Sequence, residues 1–179
     1  MGMDNKTKKN LKVDEGAINE KMRELASLLN YEYHDIKWLT EAMLCRIIKH
    51  GGGGKNRDNY TNGKYAVLGD TVLKTIVADT RFDFNTSMME LFMNKNQPQN
   101  YEKLFSIDWN MGIYNFAYDE DGFYGPYLHA PLPAHDLYIE AIIGAIFKDR
   151  GYEYAKEWTL EFFNRNGYKI GIDQIYTVK

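Results

Sequence analysis

In YAVLGDTVLKTIVAD, residues 65–79, one carboxylate, Asp70, lies in the middle of an apolar run. The length and apolar character of the run predict a buried helix of about four turns. A buried charge that has no partner costs on the order of several kcal/mol. Asp70 therefore requires a partner from elsewhere in the chain. The best candidate is Glu140, which lies in a second apolar run far downstream.

The composition is that of a single globular domain. The chain has 179 residues, of which 44% are hydrophobic and 26% charged. It has neither an apolar run of about 18 residues nor the apolar segment of a secretory signal, so no membrane partner is expected. One cysteine, Cys45, excludes an internal disulfide and favours a cytoplasmic location. The net charge of −3 argues against a strong stand-alone nucleic-acid binder.

Helical spacing of apolar residues recurs along most of the chain. Asp14 and Asp35 are predicted to cap two amphipathic helices. The first ends near Leu29, and the second runs to Ile48 before the glycines Gly51–Gly54. Further helices are predicted over residues 64–79, 86–94, 101–116 (one or two helices, with Asp108 and Gly112 as candidate breaks), 134–149 and 154–163.

These patterns predict an all-α fold with two central buried helices, at residues 64–79 and 134–149. No segment outside the C-terminal tail shows convincing strand alternation. The expected organisation is a disordered tail over residues 1–12, a helical domain over residues 13–165 and a short tail over residues 166–179.

Each central helix carries one carboxylate near its middle, Asp70 in the first and Glu140 in the second. Two buried helices of a small domain are expected to pack together, and two carboxylates that meet there repel each other unless a proton or a cation joins them. Oxygen ligands favour a hard cation such as Mg²⁺ or Mn²⁺. The alternative is that basic side chains or backbone groups satisfy both acids.

Two stretches resemble the conserved motifs of the ribonuclease III family. NGKYAVLGDTVL, residues 62–73, is similar to the family signature NERLEFLGDAVL, and DLYIEAIIGAIFKDRG, residues 136–151, is similar to its second motif, ADxxEALIGAIYLDGG. Residues 31–43 resemble the family's first helix. The two motifs occur in the family's order, and the resemblance covers roughly residues 25–163.

The resemblance implies an all-α endonuclease domain that forms a homodimer through the signature helix. Members of the family hydrolyse phosphodiester bonds in double-stranded RNA with Mg²⁺, which activates a water and neutralises phosphate charge. No separate double-stranded-RNA-binding domain is expected, since the sequence ends soon after Phe163.

The acidic residues depart from the family pattern. Asp70 and Glu140 match two of the four carboxylates of the family's metal site. The other two are missing, because Ala66 stands where the signature has its last glutamate and Leu137 replaces the aspartate of the second motif. Gly63 stands at the signature's earlier glutamate. Loss of two ligand charges weakens the binding of a divalent ion by an amount on the order of several kcal/mol. Mg²⁺ or Mn²⁺ is thus expected to bind weakly or not at all.

Two neighbouring residues offer alternatives at this site. Asp136 lies four residues before Glu140, on the same helix face, and is a candidate substitute for the missing aspartate; an acid in the first helical turn is equally favoured by the helix dipole. Lys74, one turn beyond Asp70, is a candidate ion-pair partner that would take the place of the metal. The sequence thus predicts catalytic residues Asp70 and Glu140 and metal ligands Asp70, Glu140 and Asp136.

One local basic cluster adjoins the signature helix and is the predicted contact for RNA phosphates; it consists of Arg46, Lys49, Lys55, Arg57 and Lys64. The predicted function is that of a ribonuclease III-like protein acting on double-stranded RNA, with Mg²⁺-dependent hydrolysis if the reduced site is sufficient. The alternative is a catalytically silent member of the fold that serves RNA binding, scaffolding or dimerisation. Cys45 is predicted to be a core residue.

Overall fold

The structure, a computed structural model, describes residues 14–45, 62–82, 87, 100–119, 122–123, 135–171 and 174–177, with side chains at most of these positions. Its elements are the helices α1 (Glu15–Leu29), α2 (Lys37–Ala42), α3 (Gly63–Arg81), α4 (Asn100–Met111) and α5 (His135–Arg165), a 3₁₀ turn (Ile113–Phe116), and the strands β1 (Tyr168–Gly171) and β2 (Gln174–Thr177). The predicted all-α fold is confirmed, with a small hairpin added at the C-terminal end.

Helix α1 forms where the apolar spacing predicted it. The Asp14 carboxylate accepts a hydrogen bond from the Ala17 backbone N–H at 3.2 Å, which caps the first turn. Asn30 ends the helix in the left-handed conformation, with φ of 53°. The face that α1 buries against the rest of the molecule consists of Ile18, Met22, Leu25, Ala26 and Leu29.

The second helix is much shorter than predicted. It ends at Ala42, whereas the periodicity indicated a helix as far as Ile48. The backbone leaves the helix because it pairs with a distant segment: the Cys45 N–H donates to the Tyr118 carbonyl at 2.8 Å, and the Tyr118 N–H donates to the Met43 carbonyl at 3.1 Å. Local apolar spacing carries no information about such a partner.

Helices α3 and α5 form the centre of the molecule and pack along each other. Both helices bury aliphatic side chains in the core: Val72, Leu73, Ile76 and Val77 of α3, and Ile139, Ile142, Ile143 and Ile146 of α5. The prediction of a pair of central helices is confirmed. One face of α3 is exposed, however, and Val67 on that face is 70% accessible.

Gly151 divides α5 into two helical parts. Its φ of 79° and ψ of −176° are not helical, which agrees with the predicted separation of a helix over residues 134–149 from one over residues 154–163. Just before this break, Asp149 accepts hydrogen bonds from the Tyr31 hydroxyl at 2.6 Å and from the backbone N–H groups of His34 and Asp35 at 2.7 and 2.9 Å. Asp149 therefore attaches α5 to the connection between α1 and α2.

The region after α3 agrees in part with the predictions. Gly112, with φ of 67°, separates α4 from the 3₁₀ turn as expected, whereas Asp108 lies within α4 and is completely buried. The C-terminal strands pair antiparallel, Tyr168 opposite Thr177 and Ile170 opposite Ile175, and Ile170 is 6% exposed. Of the helix predicted over residues 86–94 only residue 87 is described, and the tail over residues 1–12 lies outside the described residues. Among the described helices, none has the length and apolar character that a membrane crossing requires.

Candidate functional site

The two motifs, residues 62–73 and 136–151, meet at a close contact between α3 and α5. This contact, here called the α3–α5 crossing, is made by Gly69 and Gly144. A β-carbon on Gly69 would lie 1.7 Å from the Glu140 carbonyl oxygen, and one on Gly144 would lie 2.3 Å from the Tyr65 carbonyl oxygen. Both distances are far shorter than any van der Waals contact, so only glycine fits at either position. Since residue 69 meets 140 and residue 65 meets 144, the helices run antiparallel.

This geometry places Asp70 and Glu140 beside one contact point. Asp70 follows Gly69 directly, and Glu140 is the residue whose carbonyl group Gly69 touches. The prediction that the two central helices pack against each other is confirmed by this contact; that their carboxylates share a cation stays a prediction. Both residues are partly exposed to solvent.

Asp70 is not the fully buried charge that its apolar sequence context indicated. Its side chain is 37% exposed, because it lies towards the solvent face of α3 rather than in the core. The Lys74 ammonium nitrogen lies 2.5 Å from Asp70 Oδ2, in an ion pair that spans one helical turn. The hypothesis that Lys74 pairs with Asp70 therefore holds in the structure.

The remaining donors at the crossing are few. Ala66, one turn before Asp70, is 1% exposed and carries no oxygen ligand. Asp136 and Leu137 lie in the first turn of α5, and their side chains are outside the described residues. Among the side chains that are described, no group of three or more His, Cys, Asp or Glu is arranged to hold a metal ion.

A divalent cation such as Mg²⁺ requires near-octahedral oxygen coordination and charge compensation from carboxylates. The described donors do not fit that requirement, since one of the two acids already holds an ammonium group and the position one turn before it is aliphatic. The chemistry available at the crossing is thus that of an ion pair beside a second carboxylate.

A further carboxylate, which the sequence analysis did not single out, lies at the N-terminal end of α3. Glu41 of α2 accepts a hydrogen bond from the Tyr65 hydroxyl at 2.6 Å, and the Lys64 ammonium is 3.8 Å from the same Glu41 oxygen. Burial, with the hydrogen bond to Glu41, raises the pKa of Tyr65 above its ordinary value. Glu41 thereby links α2 to α3; no local pattern in the sequence marks this contact.

Of the five residues in the predicted RNA-contacting cluster, one, Lys64, lies among the described residues. Lys64 is exposed and its ammonium lies 5.1 Å from the centre of the Tyr65 ring. The other members, Arg46, Lys49, Lys55 and Arg57, lie outside the described residues.

Two lysines that the sequence analysis passed over flank Trp38. The ammonium groups of Lys37 and Lys148 lie 5.1 and 5.4 Å from the centre of its ring, one from α2 and one from α5. Lys37 also forms an ion pair with Asp35, whereas Lys148 is exposed. The adjacent Lys-Trp dipeptide was the signal available in the sequence; the contribution of Lys148 depends on the fold.

Cys45 is a core residue, as predicted, with 3% exposure. Burial raises the pKa of its thiol to about 12, so the side chain stays protonated and uncharged at neutral pH. It is therefore unsuited to act as a nucleophile or as a thiolate ligand.

Comparison with known proteins identifies the fold. No family model matches the sequence, and no curated protein matches it significantly. Two solved structures of the nuclease domain of ribonuclease III from Campylobacter jejuni match with TM-scores of 0.57 and 0.56, covering 82% of this chain and 96% and 94% of theirs. Their sequence identities with this chain are 23% and 22%. The first of the two structures reports structural flexibility in the region of the Campylobacter jejuni domain that is involved in dimer formation. The chain therefore has the fold of the ribonuclease III nuclease domain.

Proposed function

We propose that this protein binds double-stranded RNA as a homodimer and has little or no metal-dependent cleavage activity. The observation that carries the proposal is the retention of the ribonuclease III nuclease fold around a reduced set of acids, with Asp70 held by Lys74. The likeness in fold supports double-stranded RNA as the ligand by analogy. The Asp70–Lys74 ion pair argues against a reaction that needs a divalent metal ion bound to Asp70.

The surface offers cations for phosphate contacts near the α3–α5 crossing. Lys64, Lys37 and Lys148 come from three different helices, and Lys64 and Lys148 are exposed. The metal-independent binding of RNA by such side chains depends on the release of counterions and weakens steeply with salt. The overall charge of −3 means that this binding is confined to a local surface.

The exposed face of α3 supports a dimer. Val67, Thr71 and Thr75 follow one another at intervals of four residues and are all exposed. The Thr71 and Thr75 hydroxyls donate to the carbonyls of Val67 and Thr71, each at 2.9 Å, so both hydroxyl groups are directed back to their own helix. The face is consequently less polar than its sequence indicates, which suits a second copy of the chain.

A binding and cleavage assay tests the proposal. The purified protein is titrated into a labelled RNA duplex in EDTA, with the salt concentration varied, and is then incubated with the duplex and Mg²⁺ or Mn²⁺. We expect binding in EDTA that falls as salt rises, and no cleavage. A single-stranded RNA and a DNA duplex of the same sequence serve as controls. Absence of any binding to the RNA duplex would contradict the proposal.

The juxtaposition of Asp70 and Glu140 at one helix contact favours a second candidate, Mg²⁺-dependent hydrolysis of double-stranded RNA. Under this candidate Asp70, Glu140 and Asp136 are the metal ligands. Cleavage that disappears in both Asp70→Asn and Glu140→Gln would establish it and displace the first proposal. Cleavage that persists in both variants would instead identify a contaminating nuclease.

A further inference from the structure

We propose that the protein contacts the phosphates of an RNA duplex through Lys148 and Arg150, two cations that aromatic rings, rather than acids, hold in place. The surface that carries them, here called the ring–cation surface, consists of Trp38, Lys148, Arg150 and Tyr154. The proposal rests on the function proposed above, and it names the part of the molecule that meets the RNA backbone.

Each of the two cations lies against an aromatic ring. The Lys148 ammonium is 5.4 Å from the centre of the Trp38 ring, and the Arg150 guanidinium carbon is 3.9 Å from the centre of the Tyr154 ring. An aromatic face attracts a cation through its quadrupole and leaves the positive charge uncompensated. Within the described part of the chain, no carboxylate forms an ion pair with either cation. Both charges are therefore available to an anion from outside the chain.

The acid that separates the two cations in sequence is already engaged. Asp149 lies between Lys148 and Arg150, but its two oxygens accept three hydrogen bonds, all from donors within residues 31–35. These hydrogen bonds direct the carboxylate to that segment. Asp149 thus stabilises the fold at this place instead of neutralising the basic residues on either side of it.

The ring–cation surface is held in shape before any ligand binds. Arg150 Nη1 donates to the Glu32 backbone carbonyl, and the Tyr154 hydroxyl accepts a hydrogen bond from the Glu32 N–H at 3.0 Å. The other N–H groups of the guanidinium remain available for a phosphate. A side chain that is already positioned loses less conformational freedom on binding. Glu32 is itself exposed, and its negative charge near Arg150 works against an anion.

The two cations suit a nucleic-acid backbone. Lys148 is exposed and Arg150 is partly exposed, so both can reach a ligand. Ammonium and guanidinium groups are the usual contacts of backbone phosphates, and such contacts carry no base preference. We therefore expect the ring–cation surface to contribute affinity and salt dependence to RNA binding, without sequence specificity.

A lysine of the same helix provides a matched control. Lys156 belongs to α5, as Lys148 does, but its ammonium lies 2.6 Å from an Asp79 oxygen. The charge of Lys156 is therefore compensated by an acid of the chain itself, and its removal should not affect RNA binding.

The experiment measures binding of the full chain to a labelled RNA duplex in EDTA, by fluorescence anisotropy at several salt concentrations. We expect Lys148→Met to weaken binding about three- to tenfold near 0.1 M salt and to lower the slope of log K against log salt by about 1, as the loss of one phosphate contact does. Lys148→Arg and Lys156→Met should bind as the wild type does. Lys148→Met combined with Arg150→Gln should lower the slope by about 2. Glu32→Gln, which removes the opposing charge, should bind more tightly than the wild type.

A wild type that binds the duplex, with Lys148→Met unchanged in affinity and slope, would overturn this proposal and leave the proposed function standing. A loss in Lys148→Arg as large as that in Lys148→Met would also overturn it, because the charge would then not be the cause. So would an equal loss in Lys156→Met. A wild type that does not bind the duplex would overturn both proposals. Lys148→Gln is the second variant, and circular dichroism verifies that each protein is folded.

Discussion

At the scale of single residues, two glycines determine how closely the central helices approach each other. Gly69 and Gly144 allow the backbones of α3 and α5 to touch, and the backbones of Asp70 and Glu140 adjoin that contact. The charged residues themselves are solvent-accessible and contribute little to packing. An exposed ion pair of the Asp70–Lys74 kind contributes only about 0.3–0.5 kcal/mol on a helix surface.

Gly69→Ala is accordingly predicted to destabilise the protein by about 2 kcal/mol or more, because the new methyl group would overlap the Glu140 carbonyl and push the helices apart. Urea denaturation followed by circular dichroism measures the loss. Gly16→Ala is the control: the atom nearest to its new methyl group belongs to the movable Asp14 side chain, so a change below about 1 kcal/mol is expected. Equal stability of Gly69→Ala and the wild type would contradict the close contact.

At the scale of elements, α3 has two faces with different tasks. The inward face, with Val72 and Ile76, fills the core against α5, and the outward face presents Val67 and the methyl groups of Thr71 and Thr75. Apolar character of the sequence predicted burial for the whole helix. In the single chain, however, the outward apolar residues lie on an exposed surface, which only contact with another molecule would bury.

Val67→Asp tests the use of that face. Val67 is 70% exposed in the single chain, so the aspartate should not unfold the protein, but a charge buried in a dimer interface should weaken association by at least about tenfold. Light scattering coupled to size-exclusion chromatography, at several protein concentrations, measures the association. Leu28→Asp, at an apolar position of α1 that is 40% exposed, should leave the dimer intact. A wild type that stays monomeric at all concentrations would remove the dimer from the proposed function.

At the scale of the whole molecule, the buried thiol of Cys45 should make its own contribution to the loss of global stability in alkali. The pKa of Cys45 is raised from 9.0 to about 12 in the folded protein, so above pH 9 the unfolded chain has released a proton that the folded chain retains. The unfolded state is then favoured as pH rises, until the folded thiol also ionises.

From pH 9 to pH 10, the wild type is therefore predicted to lose about 1 kcal/mol more unfolding free energy than Cys45→Ala loses, an amount that follows from the ionisation of one group in the unfolded chain. Denaturation curves at the two pH values give the comparison. The tyrosines titrate in both proteins and cancel in the difference. A parallel loss in the two proteins would show that the folded thiol ionises as readily as the unfolded one.

The sequence was sufficient for much of this architecture. Apolar periodicity predicted α1, α3 and both parts of α5, and the motifs around Asp70 and Glu140 predicted the fold. The sequence did not predict the end of α2, which comes early because the backbone of Cys45 pairs with Tyr118. It also did not predict that Asp70 lies on the solvent face of α3 and is partly exposed. Neither effect has a local signal, because both depend on residues that are distant along the chain.

The glycine contact has one further consequence. It keeps the two helices together without involving any acid, so changes that remove carboxylates from this region leave the geometry of the backbone intact. Substitution of the acids beside the crossing is therefore expected to leave the packing of α3 on α5 unchanged. The fold of this molecule at the crossing thus depends on two residues without side chains, Gly69 and Gly144, and is independent of whatever chemistry the neighbouring acids carry out.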